Sequence, residues 1–224
     1  MRLLRRGAPF DRIGRRVLDH LERHGGAAVQ PSADGDAGLA SGRIVLVTST
    51  NAGEGKSFVA QALAAALAAQ QDGDVICVDA AFDRPPADGD ISRRGASGLS
   101  EIMTLGSLQG LAPAGPGGGR LWRLGRGVLA HPALLQRPDA IAQALMALRA
   151  GFALTVLDAP TLAGCGALLA QADACVMVVD ARRTARGDAR RALLESRLGP
   201  ARLAGLVLNH RPRPVPRWLG GDPA

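Results

Sequence analysis

The feature that most constrains the fold is an apolar run that leads directly into a glycine-rich loop. Residues 43–48 read Arg-Ile-Val-Leu-Val-Thr, which is typical of a strand buried on both faces of a sheet. The loop at residues 51–57 reads Asn-Ala-Gly-Glu-Gly-Lys-Ser, and an Ala-rich helical pattern begins at its end. A strand, a glycine-rich turn and a helix in this order are typical of a phosphate-binding loop. The sequence therefore predicts a nucleotide site at this turn.

The residue types in the loop suit phosphate chemistry. Gly53 and Gly55 let backbone N–H groups approach an anion closely, Lys56 can reach the β- and γ-phosphates, and Ser57 can bind Mg²⁺. The helix that begins at Lys56 adds the partial positive charge of its N-terminus. The strict pattern has glycine at the position of Thr50, so this loop is a deviant Walker A motif. A glycine-rich turn without a ligand is the alternative, which the flanking strand and helix disfavour.

Strand and helix patterns alternate along the rest of the chain. Such alternation predicts right-handed crossovers and a mainly parallel sheet. The predicted fold is therefore α/β, the three-layer P-loop NTPase fold with helices on both faces of the sheet. The patterns predict further strands at 74–79, 121–124, 154–158, 175–180 and 203–208, and helices at 9–24, 58–71, 98–105, 138–150 and 188–198.

Polar residues stand where three of these strands end. Asp79 and Asp158 each close an apolar strand, and Asn209 follows the last one. Ligands of parallel sheets bind beside the carboxyl ends of the strands, so these side chains are expected to converge on the glycine-rich loop. The carboxylates could hold Mg²⁺ or orient a nucleophile, and Asn209 could bind a purine edge. Each is also an ordinary cap or turn residue, and that alternative stays open for Asn209.

Composition places the chain among globular proteins and suggests its organisation. The 224 residues fit one core, with an N-terminal amphipathic helix and linker at 1–42, a P-loop domain at 43–210 and a Pro/Arg-rich tail at 211–224. No apolar run is long enough to span a bilayer and no secretory signal is present, so we expect a cytoplasmic protein. The three cysteines lack metal-ligand spacing and are expected in the core.

The charge of +7 comes from 26 arginines and one lysine, Lys56, against 20 acidic residues. An excess of arginine can favour nucleic acid or an anionic membrane. The arginines here are scattered and are not interleaved with aromatic residues. Nucleic acid is therefore not an expected partner.

Six short segments together resemble the bacterial tyrosine kinases of capsule and exopolysaccharide assembly, a branch of the MinD/ParA-like deviant P-loop proteins. The resemblance extends from about residue 43 to 209, and Asn51 stands where MinD and ParA proteins carry their signature lysine. Residues 78–85 read Val-Asp-Ala-Ala-Phe-Asp-Arg-Pro, where the family typically has Asp-Ala-Asp-Leu-Arg-Arg-Pro after the apolar strand. The other segments are Gly-Glu-Gly-Lys-Ser at 53–57, Gly-Leu-Ser-Glu-Ile-Met at 98–103, His-Pro-Ala-Leu-Leu at 131–135, Val-Leu-Asp-Ala-Pro at 156–160 and Val-Leu-Asn at 207–209.

The resemblance implies an ATP- and Mg²⁺-dependent phosphotransferase or ATPase that acts in polysaccharide polymerisation or export. It also implies a membrane-embedded chain-length or export protein as partner, which would recruit the chain to the inner face of the membrane, and a homo-oligomer. Lys56, Asp79 and Asp158 would be catalytic, and Ser57, Asp79 and Asp158 would hold the metal. The expected nucleotide-binding residues are Asn51, Ala52, Gly53, Glu54, Gly55, Lys56, Ser57, Phe58 and Asn209.

Three departures from the family pattern leave the function open. Ala81 replaces the second aspartate of the Asp-x-Asp pair, Phe58 replaces a threonine, and the chain contains no tyrosine to autophosphorylate. The alternatives are therefore a kinase-like enzyme, a nucleotide-dependent adaptor of the same pathway that has lost phosphotransfer, and a ParA- or MinD-like ATPase on DNA or membrane.

Overall fold

The computed structural model describes residues 8–24, 42–84, 98–106, 112–113 and 119–211. The predicted linker before residue 42, the loop at 85–97 and the tail after residue 211 lie outside these ranges. None of the described helices is both long and apolar enough to cross a bilayer.

A seven-stranded sheet in the order β3-β4-β2-β5-β1-β6-β7 forms the middle layer. Six of its strands are parallel, and only the short β3 runs antiparallel, beside β4. The predicted α/β fold with a mainly parallel sheet is confirmed. The strands are β1 (Arg43–Ser49), β2 (Val75–Asp79), β3 (Ala112–Pro113), β4 (Leu121–Leu124), β5 (Leu154–Asp158), β6 (Ala174–Asp180) and β7 (Leu203–Asn209).

Helices cover both faces of the sheet, which accounts for the continuous apolar runs in its central strands. Apolar residues of β1, β2, β5 and β6 point alternately into two core clusters, and one of these clusters includes residues of α1 and α2. The other includes residues of α3, α4 and α5. The helices are α1 (Ala8–His24), α2 (Lys56–Gln70), α3 (Leu99–Leu105), α4 (Pro138–Gly151), α5 (Gly166–Gln171) and α6 (Arg186–Glu195).

Helix α1 belongs to the same core as the glycine-rich loop's helix. Its Val17 and Leu21 are buried in the cluster that contains α2, and the ring of Phe10 meets that of Phe58 edge-on at 5.8 Å. The proposed division of the chain at residue 43 remains a prediction, but the two helices on either side of it are packed together.

Most predicted boundaries lie within two residues of the observed ones, and the largest difference is at the end of α6. Helix α6 ends at Glu195 instead of continuing to Leu198, because Arg197 adopts a left-handed backbone with φ of 55°. It also begins two residues earlier than predicted. Strand β3, helix α5 and two 3₁₀ turns, at Pro132–Gln136 and Leu162–Gly164, have patterns too short to stand out in the sequence. All three cysteines lie in the core as expected.

Candidate functional site

The glycine-rich loop joins the end of β1 to the start of α2, beside the carboxyl ends of β5 and β6. Gly53 and Gly55 have φ of 80° and 91°, a left-handed conformation that disfavours a side chain. A Cβ at Gly55 would also collide with the side-chain amide of Asn209, which would have to move. Asn51, Ala52 and Gly53 are exposed at the rim of the loop.

Glu54 holds the loop to the neighbouring strand from inside. The residue is buried, and its Oε2 accepts a hydrogen bond from the backbone N–H of Asn51 at 3.0 Å. Its Oε1 accepts from the Thr184 hydroxyl and from the backbone N–H of Asp180 at 3.3 Å. Asn51 also donates through Nδ2 to the Thr184 hydroxyl at 3.2 Å. The carboxylate of Glu54 therefore stabilises the loop, because both of its oxygens accept hydrogen bonds from within the protein.

Lys56 begins α2 and is only 6% exposed, although it is a lysine. Burial lowers the pKa of its ammonium, while Asp158 and then Asp83 oppose that shift. A buried, poorly hydrated cation suits the binding of a multiply charged anion such as a phosphate, because its charge is weakly screened.

The two strand-end carboxylates lie side by side, as predicted. Asp79 and Asp158 are direct register partners in the adjacent strands β2 and β5. Burial raises the pKa of Asp158 to about 6, against the lowering effects of the Ser57 hydroxyl, Arg84 and Lys56. Asp79 is less buried and accepts the backbone N–H of Ala81 at Oδ1, 3.0 Å away. The structure thus brings together the loop and both carboxylates that the sequence singled out.

Two arginines, Arg84 and Arg126, form ion pairs with Asp158 and Asp79. The sequence predicts neither of them as a site residue. Nη2 of Arg84 donates to Ser57 Oγ at 2.7 Å and to Asp158 Oδ2 at 2.9 Å, and lies 3.9 Å from Asp79 Oδ1. Arg126, almost fully buried, donates to Asp79 Oδ2 from Nε at 3.1 Å and from Nη2 at 2.7 Å. Arg84 lies in the motif at residues 78–85. Arg126 belongs to no motif, and it reaches Asp79 from the loop after β4.

The oxygens around Arg84 fit a magnesium ion. Oδ1 of Asp158 is buried and has no hydrogen-bond donor within the described residues. The Ser57 hydroxyl and the Asp158 carboxylate already share one cationic group, and hard oxygen ligands of this kind are those that Mg²⁺ prefers. No cluster of three His, Cys, Asp or Glu side chains that could hold a metal by itself occurs among the described residues, so the hydroxyl and phosphate oxygens would have to complete the set.

The last two predicted nucleotide-binding residues have other contacts as well. Asn209 donates through Nδ2 to the backbone carbonyl of Glu54 at 2.9 Å, and its Oδ1 accepts the N–H of His210. One amide hydrogen and one lone pair of Oδ1 are left for a base, and the role of Asn209 in purine binding stays a prediction. The Phe58 ring meets Phe10 of α1 and remains 48% exposed, and its role in nucleotide binding stays a prediction.

No protein-family model and no curated protein matches the chain. Solved structures do match. The VpsO kinase domain superposes with a TM-score of 0.65 and 22% identity, covering 92% of this chain and 100% of that one. The kinase domain of the Escherichia coli tyrosine kinase ETK gives a TM-score of 0.60 and 20% identity over 78% of this chain and 71% of that one.

P-loop ATPases and synthetases share the same architecture. Cobyrinic acid a,c-diamide synthase from Mycobacterium smegmatis, solved with bound ADP and magnesium, matches with a TM-score of 0.52 and 21% identity over 73% of this chain and 71% of that one. ParA-family and MinD structures match as well. The fold in general is therefore one that uses nucleotide and Mg²⁺. The chain has the P-loop fold that bacterial tyrosine kinase domains share with ParA- and MinD-like ATPases.

Proposed function

We propose that this chain binds Mg·ATP at residues 51–57 and transfers the terminal phosphoryl group, to water or to a protein of exopolysaccharide or capsule assembly. The observation that carries the proposal is the meeting of Ser57 and Asp158 around one cation position close to the buried Lys56, with an oxygen of Asp158 that has no donor among the described residues. The motifs at 98–103 and 131–135 support the pathway by resemblance. The kinase domains of the same fold support phosphoryl transfer.

The chain's own residues divide the work between binding and positioning. Backbone N–H groups of the loop and the N-terminus of α2 bind phosphate oxygens, and Lys56 balances their charge. Ser57 and Asp158 would hold Mg²⁺, which supplies charge neutralisation between the β- and γ-phosphates. Asp79 has both oxygens engaged, by the Ala81 N–H and by Arg126, so we assign it to positioning an acceptor. Catalysis of this kind rests mainly on positioning and charge stabilisation.

A nucleotide-dependent adaptor is the second candidate, and the environment of Ala81 favours it. Position 81 is fully buried next to Asp79 and presents a methyl group where the kinase pattern has a carboxylate. Such a protein would bind ATP and change the conformation of a membrane-embedded partner without transferring phosphate. The resemblance to the kinase family implies a homo-oligomer and a membrane partner for both candidate functions.

The test is to measure binding of a fluorescent ATP analogue with Mg²⁺, and ATP turnover, in the wild type and in Lys56→Ala. Lost charge-assisted hydrogen bonds should weaken binding more than roughly tenfold and abolish turnover. Arg120→Ala is the matched control, since Arg120 pairs with Asp72 at the opposite, amino-terminal edge of the sheet. Equal binding in wild type and Lys56→Ala would refute the proposal.

A further measurement separates the two candidates. A tyrosine-containing peptide and the partner protein are offered as acceptors together with labelled ATP. Lys56-dependent labelling identifies the kinase, whereas tight binding with neither labelling nor turnover identifies the adaptor.

A further inference from the structure

We propose that Arg84 is an internal competitor of the divalent cation, which occupies the metal position in the nucleotide-free protein and must leave it when Mg·ATP binds. The inference rests on the proposed function, because it concerns the same site. It gives Arg84 a role, competition with the metal ion, that the resemblance to the kinase family does not imply.

The competition follows from the distances around one nitrogen atom. Arg84 Nη2 lies 2.7 Å from Ser57 Oγ and 2.9 Å from Asp158 Oδ2. A magnesium ion bound to the same two oxygens would stand about 2.0–2.1 Å from each of them, in the space that the guanidinium fills. A metal ion bound to Ser57 Oγ and Asp158 Oδ2 and Nη2 in its present position therefore exclude each other.

The contacts of Arg84 allow its side chain to move away from Ser57 and Asp158 while its backbone stays in place. The backbone carbonyl of Arg84 accepts a hydrogen bond from Nη1 of Arg126, whose side chain is 3% exposed and is bound to Asp79. The side chain of Arg84, in contrast, is 34% exposed. A long arginine side chain on a fixed backbone can exchange one partner for another by rotamer changes alone.

Phosphate offers the released guanidinium a new partner. Planar N–H donors of arginine match phosphate oxygens well, and the nucleotide would be bound at the adjacent loop. Without nucleotide, release of Arg84 from Asp158 gains no such contact. The arrangement therefore disfavours metal in the empty site and couples metal binding to nucleotide binding.

The test uses Mn²⁺ alone, without nucleotide, and measures free Mn²⁺ by electron paramagnetic resonance. Mn²⁺ prefers the same oxygen ligands as Mg²⁺. If Arg84 competes, Arg84→Met should bind Mn²⁺ roughly three- to tenfold more tightly than the wild type, the range expected for loss of a partly exposed charged contact. Arg120→Met, which removes an equal charge at the far edge of the sheet, should leave Mn²⁺ affinity unchanged.

A double variant tests whether the higher Mn²⁺ affinity of Arg84→Met arises at Asp158. Asp158→Asn combined with Arg84→Met should bring Mn²⁺ affinity back to the wild-type value or below, because the carboxylate is then absent. Arg84→Lys retains the cation with fewer hydrogen bonds and should bind Mn²⁺ with intermediate affinity, so it carries the test if Arg84→Met does not fold. Circular dichroism and the unfolding temperature show which variants are folded.

The outcomes distinguish this inference from the proposed function. If ATP binding depends on Lys56 but Arg84→Met binds Mn²⁺ no more tightly than the wild type, the competition is refuted and the proposed function stands. A gain that persists in the double variant also refutes the competition, because the metal is then bound elsewhere. If no variant binds ATP or Mn²⁺, both proposals fail.

Discussion

Two buried carboxylates, Glu101 and Asp158, have opposite environments. Glu101 in α3 accepts four hydrogen bonds: Oε1 from the backbone N–H groups of Val128 and Leu129, and Oε2 from the N–H of Gly98 and the Ser100 hydroxyl. Asp158 accepts from Arg84 at one oxygen and has no donor within the described residues at the other.

The pKa values of the two carboxyls reflect this difference. Burial raises the pKa of Glu101, but the hydrogen bonds from Leu129, Gly98 and Ser100 outweigh it and bring the value below the usual range. For Asp158 burial prevails, and the pKa rises to about 6. Glu101 is thus a completed anion site that stabilises the fold, whereas Asp158 lowers the stability of the empty protein and is available to a ligand. Natural sites of binding and catalysis often carry such a cost.

The largest expected effect is that of Glu101→Gln. An amide in place of the carboxylate must direct its NH₂ group at one pair of donors, so at least one buried N–H group loses its acceptor and faces another donor. We expect the free energy of unfolding to fall by about 3–5 kcal/mol. Urea denaturation at pH 7 measures this loss, with the exposed Glu195→Gln as control. A loss below about 1 kcal/mol would mean that the hydrogen bonds around Glu101 contribute little.

Asp158→Asn should have the opposite sign. With a folded pKa of about 6 and an ordinary value of 3.8, ionised Asp158 destabilises the folded protein above pH 6 by about 1–3 kcal/mol. The folded state binds more protons than the unfolded state between these values, so this cost grows as pH rises from about 4 to 6 and is constant above. Asparagine removes it.

Urea denaturation should therefore show Asp158→Asn as more stable than the wild type at pH 8 and nearly equal to it at pH 4. The fully exposed Asp72→Asn is the control for a change of charge alone. Glu101 has the reverse pH dependence, because its stabilisation is present above its unfolded pKa and is lost as pH falls through the lowered folded value. If Asp158→Asn were less stable than the wild type at pH 8, Asp158 would be a support of the fold like Glu101.

The contrast also shows what the sequence could and could not reveal. The sequence predicts the places of Asp158 and Asp79 because each closes an apolar strand, and parallel strands bring their carboxyl ends to one edge. The segment Gly98-Leu99-Ser100-Glu101 carries only a resemblance, since the loop that Glu101 binds lies 27 residues away in sequence.

Long-range partners account for the other omissions. Arg126 meets Asp79 across a separation of 47 residues, because β4 lies beside β2 in the sheet. Thr184 reaches Glu54 from the other side of the loop, 130 residues along the chain. Strand order decides both contacts, and a single sequence specifies strand order only through the packing of the whole core.

The smallest expected effect is that of Ser100→Ala, and it tests whether the carboxylate of Glu101 or its hydroxyl neighbour carries the stability. The Ser100 hydroxyl is buried and supplies one of the four donors to Glu101, at 3.0 Å, while the three backbone donors remain in the variant. Loss of one charge-assisted hydrogen bond without a large cavity should cost about 1–1.5 kcal/mol in urea denaturation. The pKa of Glu101 should move upward, so stability should be lost at a higher pH than in the wild type. If Ser100→Ala costs as much as Glu101→Gln, the backbone donors contribute little, and Glu101 would be, like Asp158, a carboxylate that depends on a single side-chain partner.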